Sequence, residues 1–252
     1  MMKKYLILIL IFQIFSCHGS DLGQRNSTPP SHQIFDELLK KHVSKDGLVN
    51  YKGFIEDKEK LEKYLDILSN NAPDRQKWSE DQQLSYWINA YNAFTIKLIV
   101  DNYPVKSIKD LDPKVSIPLV NTVWHIKFFK IGGKDASLDE IEHKILRKEF
   151  DEPRIHFAIN CASVSCPKLL NEAFLPENID FQLDKVAKSF INDPSQNKIK
   201  PNSIEISQIF SWFKGDFTKN GSLIDYLNKY SNVKIGPNAK ISYLKYDWSL
   251  NE

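Results

Sequence analysis

"SEDQQLSYWINAYNAFTIKLIVDNYP", residues 79 to 104, decides how the rest of the chain is read. Ser79 is a good N-cap, Glu80 and Asp81 suit the positive end of a helix, and Pro104 stops it. Leu84, Trp87, Ile88, Tyr91, Thr95, Leu98 and Ile99 recur at helical spacing and form a broad stripe to bury. A helix this long and this apolar belongs at the centre of a domain. Asn92 shares a face with Ile88, Thr95 and Ile99, so the pattern buries its amide and obliges it to find partners. It either holds the backbone of a loop or faces a polar pocket, and the same choice applies to Asn89.

Outward from that helix, other elements follow from pattern. "HQIFDELLKKHV" has Ile34, Phe35, Leu38, Leu39 and Val43 at helical spacing, and a second helix covers Lys58 to Ser69 before "NNAPDR" breaks it. Alternation around Trp124, Ile126 and Phe128, in a stretch that opens near Ile117, suggests a strand closed by a "GGKD" turn. Ser137 to Glu140 reads as a capping box that opens a helix through Phe150. "RIHFAIN", residues 154 to 160, reads as a short strand. A helix from Glu177 to Asn192, a hairpin turning at Pro201–Asn202 and a final strand in "AKISYLKYDWSLNE" complete the chain. Helices and strands mix without regular alternation, which gives α+β: one globular domain with a long core helix packed on a small mixed or antiparallel sheet.

The 252 residues, 42% hydrophobic and 26% charged, suffice for a sizeable core. The first 17 stand apart. Lys3 and Lys4 precede an apolar run from Tyr5 to Phe15, too short to span a bilayer and suited to an export signal. The run ends in "IFSC", which resembles a lipoprotein signal with Cys17 as the lipidated residue. Residues 18–31, rich in Gly, Ser and Pro, read as a flexible tether, and 32–252 as the domain. Without Lys3 and Lys4 the remainder has 32 basic side chains (34 less two) against 32 acidic ones. That balance offers nothing to nucleic acid. The expected membrane contact is the lipid on Cys17, in a bacterial cell envelope outside the cytoplasm.

"RIHFAINCASVSCP" brings the remaining cysteines, Cys161 and Cys166, within five positions of each other. Their spacing is not that of a zinc ribbon or of a thioredoxin motif. Outside the cytoplasm the pair suits a disulfide in a compact turn. Cys161 equally suits a nucleophile, which would need its pKa lowered by a cation, a helix N-terminus or an imidazole. If 154–160 is a strand, His156 and Cys161 point to opposite faces about 16 Å apart, so His156 is not the partner. His143 must then supply the imidazole, with Asp139 one turn before it and Arg147 one turn after. Glu142 falls inside the apolar arc of Leu138, Ile141, Ile145 and Leu146, unusual for a charge unless it is paired or near a site. The six histidines, at 18, 32, 42, 125, 143 and 156, form no HxH or HxxxH pair, and no phosphate loop or nucleophile elbow is present. No metal and no cofactor are implied.

Four blocks, "YWINAYNAFTIKLIV", "SLDEIEHKILR", "PRIHFAINCASVSCPKL" and "YDWSLNE", together resemble the family called domain of unknown function 547, best over residues 78–215. The resemblance implies a shared site that includes Asn89, Asn92, Glu142, His143, Arg147, His156, Asn160, Cys161, Ser165 and Cys166, with no established reaction. A fainter likeness links the chain to papain-like and transglutaminase-like folds, but the long helix here carries asparagines where those enzymes start a helix with cysteine. Three readings remain: a lipid-tethered binding or scaffold module with a polar pocket for a small molecule, peptide or envelope protein; a thiol hydrolase or acyl transferase with Cys161 as nucleophile, His143 as base, Glu142 or Asp139 orienting it and Asn92 or the backbone after Cys161 at the oxyanion; and a redox role for the cysteine pair.

Overall fold

The structure is a computed structural model that describes residues 22, 27–114 and 121–252. The export signal, Cys17, Ile117 and most of the tether lie outside those residues. The chain opens with α1 (Gln33–His42), α2 (Tyr51–Glu56) and α3 (Lys58–Asn70), followed by the long α4 (Glu80–Asn102). Ser79 caps α4 as its sequence implies: its hydroxyl accepts from Gln82 N–H while the Gln82 side chain returns to Ser79 N–H. From Leu84 to Ile96 every residue of α4 is buried, so it is enclosed on all sides rather than along one stripe. α2, α3 and the segments on either side of the cysteine loop pack around it. Trp87, Tyr86, Tyr91 and Phe94 are almost fully buried there, each stabilising the core by about 2–3 kcal/mol.

A small hairpin, β1 (Phe129–Ile131) and β2 (Lys134–Ala136), covers one flank, where Phe129 stacks on Phe94 at 3.8 Å between ring centroids. The expected strand around Trp124 to Phe128 is displaced. Val123–His125 is a 3-10 turn, held by Asp112 Oδ1 on Val123 N–H and by the Thr122–His125 side-chain contact. The strand begins only at Phe129, because Gly132 and Gly133, both at positive φ, fix a two-residue turn and with it the register Ile131↔Lys134.

The helix after Ser137 is largely π-helical, Glu140–Leu146, and ends in the α-turn α5 (Arg147–Glu149). Only half of its capping box forms. Ser137 Oγ accepts from Glu140 N–H, but the Glu140 carboxylate faces Lys144 instead of returning.

The strand expected at 154–160 is a helical turn, α6 (Ile155–Ala158). Pro153 presets a helical φ, and the Glu152 carboxylate accepts from Arg154 N–H and holds its guanidinium. Burial of Ile155 and Phe157 outweighs their β preference, and Ala158 favours a helix. Then come α7 (Ile179–Ile191), the hairpin of β3 (Lys198–Lys200) and β4 (Ser203–Ile206), α8 (Ile209–Trp212), α9 (Lys214–Phe217) and α10 (Leu223–Leu227). The last strand, β5 (Lys240–Tyr243), runs parallel to β4 and completes a mixed three-stranded sheet. Helices thus pair with two small sheets in a single α+β body. No helix among the described residues is long and apolar enough to cross a membrane.

Candidate functional site

Two buried amides set the cysteine loop, and a third sets the Phe174 segment. Asn92 on α4 donates from Nδ2 to Ala158 O (2.9 Å), and its Oδ1 accepts from Asn160 N–H (2.8 Å). Asn160 donates to Pro167 O and accepts from Ala162 N–H, so it closes the loop across its base. Asn89 treats the Phe174 segment in the same way, bonding both its N–H and its carbonyl. These asparagines hold loop backbones. Between the two cysteines Ala162 sits at φ +58°, a left-handed turn that costs a non-glycine residue about 1 kcal/mol or more.

That turn brings the sulfurs together. Cys161 Sγ and Cys166 Sγ are 3.0 Å apart and not bonded; both are free thiols, Cys166 buried and Cys161 half-buried. Ser163 Oγ and the Tyr246 hydroxyl each lie 3.3 Å from Cys161 Sγ, and 3.1 Å from one another. When Cys161 ionises, the proton left between the sulfurs is that of Cys166. This hydrogen bond, aided by Ser163 and Tyr246, holds the Cys161 thiol below its ordinary pKa against the opposing effect of burial. Burial and the neighbouring Cys161 charge push Cys166 well up. The Cys161 N–H also donates to Cys166 Sγ (3.0 Å), a smaller pull in the other direction.

The imidazoles belong to a second network. His156 Nε2 donates to Asp216 Oδ2 (2.8 Å), and the ring stacks on Phe213 at 3.9 Å. Arg147 approaches the same carboxylate through Nε (2.6 Å) and Nη2 (3.2 Å), and its Nη1 donates to His143 Nδ1 (2.9 Å). Arginine has no acceptor, so Nδ1 of His143 is the acceptor and a neutral ring carries its proton on Nε2, 3.7 Å from Asp139 Oδ1. Burial lowers the His156 pKa, whereas the bonds from His156 and Arg147 outweigh burial and hold Asp216 well below the carboxylate range. Glu142 points inward as its place in the apolar arc implies. It accepts from the Tyr91 hydroxyl (3.2 Å), and burial, with the Cys161 charge adding to it, raises its pKa.

The candidate residues therefore divide. Cys161 and Cys166 are together; Asn92 and Asn160 hold their loop; Arg147 and His156 meet on Asp216, and His143 joins them through Arg147. Ser165 fastens the C-terminal segment, its Oγ accepting from Asp247 N–H and its N–H donating to Asp247 O. Three contributors lie outside the candidate set. Ser163 lies within the cysteine motif; Tyr246 opens the "YDWSLNE" block, whose resemblance to the family is its only signal; Asp216, in "FKGDF", carries no signal at all. A cleft of about 520 Å³ beside the loop is lined by Lys45, Cys166, Pro167, Lys168, Val186 and Gln196 among others, but not by Cys161. Among the described residues no group of three or more His, Cys, Asp or Glu is placed to hold a metal ion.

Residues 75–191 match the family described as protein of unknown function, DUF547. The matched segment takes in Cys161, Cys166 and the other site residues that the resemblance implies, and it ends before Asp216 and Tyr246. No curated protein and no solved structure matches the chain.

Proposed function

We propose that the chain is a lipid-anchored cell-envelope protein that performs thiol–disulfide exchange at Cys161 and Cys166. One observation carries the chemistry: two unbonded sulfurs 3.0 Å apart, the half-buried one with its pKa lowered and the buried one with its pKa raised. That asymmetry separates an attacking thiol from a resolving thiol. The Cys161 thiolate attacks one sulfur of a substrate disulfide, and the other sulfur leaves as a thiolate and takes a proton. Cys166 then gives up its proton, attacks Cys161 Sγ and expels the second substrate thiolate. The pair ends as a disulfide, and its two electrons reside in the two substrate thiols.

Acyl transfer with His143 as base and Asn92 at the oxyanion has less support. The free lone pair of His143 accepts from Arg147, and the Asn92 amide is engaged on the loop backbone. The anchor reading rests on Lys3, Lys4, the apolar run and Cys17. The chemistry is tested by incubating reduced protein with 2-hydroxyethyl disulfide and weighing it. Loss of two hydrogens in the wild type and a trapped mixed disulfide in Cys166→Ser are expected. Two thiols that stay fully alkylable would leave a binding or scaffold module. The anchor is tested by metabolic labelling with an alkyne palmitate: Cys17→Ser should lose a label that the wild type takes up.

A further inference from the structure

Around the Cys161 thiol lies an aromatic surface of which the exchange reaction uses only the Tyr246 hydroxyl. Trp212 and Trp248 stack with centroids 5.9 Å apart; Tyr246 lies 4.4 Å from Trp248 and 4.8 Å from Trp212; Trp124 adds an edge contact to Trp248 at 5.6 Å. These rings come from three separate parts of the chain. Trp212 is 48% exposed, although indole is costly to leave in water. The cluster reaches the nucleophile directly, because the Tyr246 hydroxyl is the group 3.3 Å from Cys161 Sγ.

The backbone beneath these rings has an open edge. Asp247 and Ser249 turn their carbonyls to the cysteine loop and accept from Ser165 and Val164 N–H. The intervening residues, Tyr246 and Trp248, make no backbone hydrogen bond to any other described residue. The Tyr246 and Trp248 rings are thus gathered in one cluster while their peptide groups are left without a backbone partner. A thiolate, a run of rings and unpaired backbone donors and acceptors therefore adjoin.

We infer that this face, formed by Trp124, Trp212, Tyr246 and Trp248, docks an extended polypeptide segment that carries the disulfide to be exchanged. The inference rests on the exchange reading above and names its substrate class. Each part of the face has a counterpart in such a segment: a cystine sulfur for Cys161, apolar or aromatic side chains for the rings, and peptide groups for the open edge. A glycan would suit the rings alone and brings no sulfur. A small disulfide would suit the thiolate alone.

The test compares two probes with the same leaving group, thionitrobenzoate, whose release is followed by absorbance. One is N-acetylcysteine amide in mixed disulfide with it; the other is a linear peptide with aromatic residues on both sides of an identically blocked cysteine. The quantity read is the ratio of the second-order rate constants, peptide over amide, with the full chain in reduced form. The expected ratio in the wild type is about tenfold or more, falling towards unity in Trp212→Ala and retained in Trp212→Phe, which keeps a ring. A wild-type ratio near unity, or one that Trp212→Ala leaves unchanged, overturns the docking face while exchange itself stands. Inhibition of the peptide reaction by a soluble chito-oligosaccharide, with the amide reaction unaffected, reassigns the face to glycan and overturns it as well. If neither probe reacts, the exchange reading fails and the docking face falls with it.

Discussion

Asn92 and Asn160 are joined across the core by a single 2.8 Å hydrogen bond, side-chain carbonyl to backbone N–H, and the same Asn92 amide donates to Ala158 O. A helix from one part of the chain thereby sets the path of the cysteine loop. Asn92→Leu keeps the branched shape and the number of side-chain heavy atoms but leaves two buried backbone groups without partners. A loss of about 2–5 kcal/mol in stability is expected, read from urea denaturation midpoints. Asn92→Asp keeps the bond to Asn160 but sets a carboxylate against the Ala158 carbonyl, so it should be destabilising too.

The lowered pKa of Cys161 has Cys166 as its first cause, with Ser163 and Tyr246 after it. Cys166→Ala should therefore move the midpoint of the pH profile for iodoacetamide alkylation of Cys161 upward, and Tyr246→Phe should move it the same way by less. An unchanged midpoint in Cys166→Ala would show that the neighbouring sulfur does not govern the thiolate.

The parts of this fold legible from pattern are those where local signals and burial agree. α4 declares itself through Ser79, a long apolar run and Pro104, and α1, α3 and α7 through helical spacing. The failures came where context overrode propensity. Residues 155–158 are apolar and β-rich, yet Pro153 and the Glu152–Arg154 contacts start a helical turn whose side chains the core takes in. The site was half legible. Both cysteines, Asn92 and Glu142 stand out as residue types odd for their surroundings. Asp216 and Tyr246 reach the site from more than fifty residues away in sequence, and no local spacing encodes such a contact.

Asp216 is shared by Arg147 and His156, and those bonds keep it ionised far below the ordinary carboxylate range. Asp216→Ala would strand a guanidinium and a buried imidazole. Because Arg147 and Asp216 are partly exposed and their charges partly screened, the expected cost is about 1–3 kcal/mol at neutral pH, measured as a fall in unfolding free energy. The sign with pH follows from the depressed pKa. The contribution is complete above the unfolded carboxylate value and is lost as pH falls towards the lower folded one. The carboxylate's part of the gap between wild type and variant should thus narrow below the ordinary carboxylate range.

His32 offers the cleanest pH signature. It is 5% exposed, its Nδ1 lies 2.7 Å from the Tyr64 hydroxyl, and burial lowers its pKa to about 4. A base that folding keeps neutral binds its proton first in the unfolded chain. Its effect on stability is nil above about pH 6.5, grows by about 1.4 kcal/mol per unit as pH falls below that, and levels off under the folded value. At pH 5 the protein should have lost about 2 kcal/mol through this group alone. His32→Gln removes the titration and retains polar atoms that can meet Tyr64, while His156 titrates in both proteins and cancels from the comparison. Urea unfolding of wild type and His32→Gln at pH 7 and pH 5 should therefore give stability differences that change by about this amount, in favour of the variant in acid. An equal difference at both pH values would mean that His32 is not held neutral by its burial.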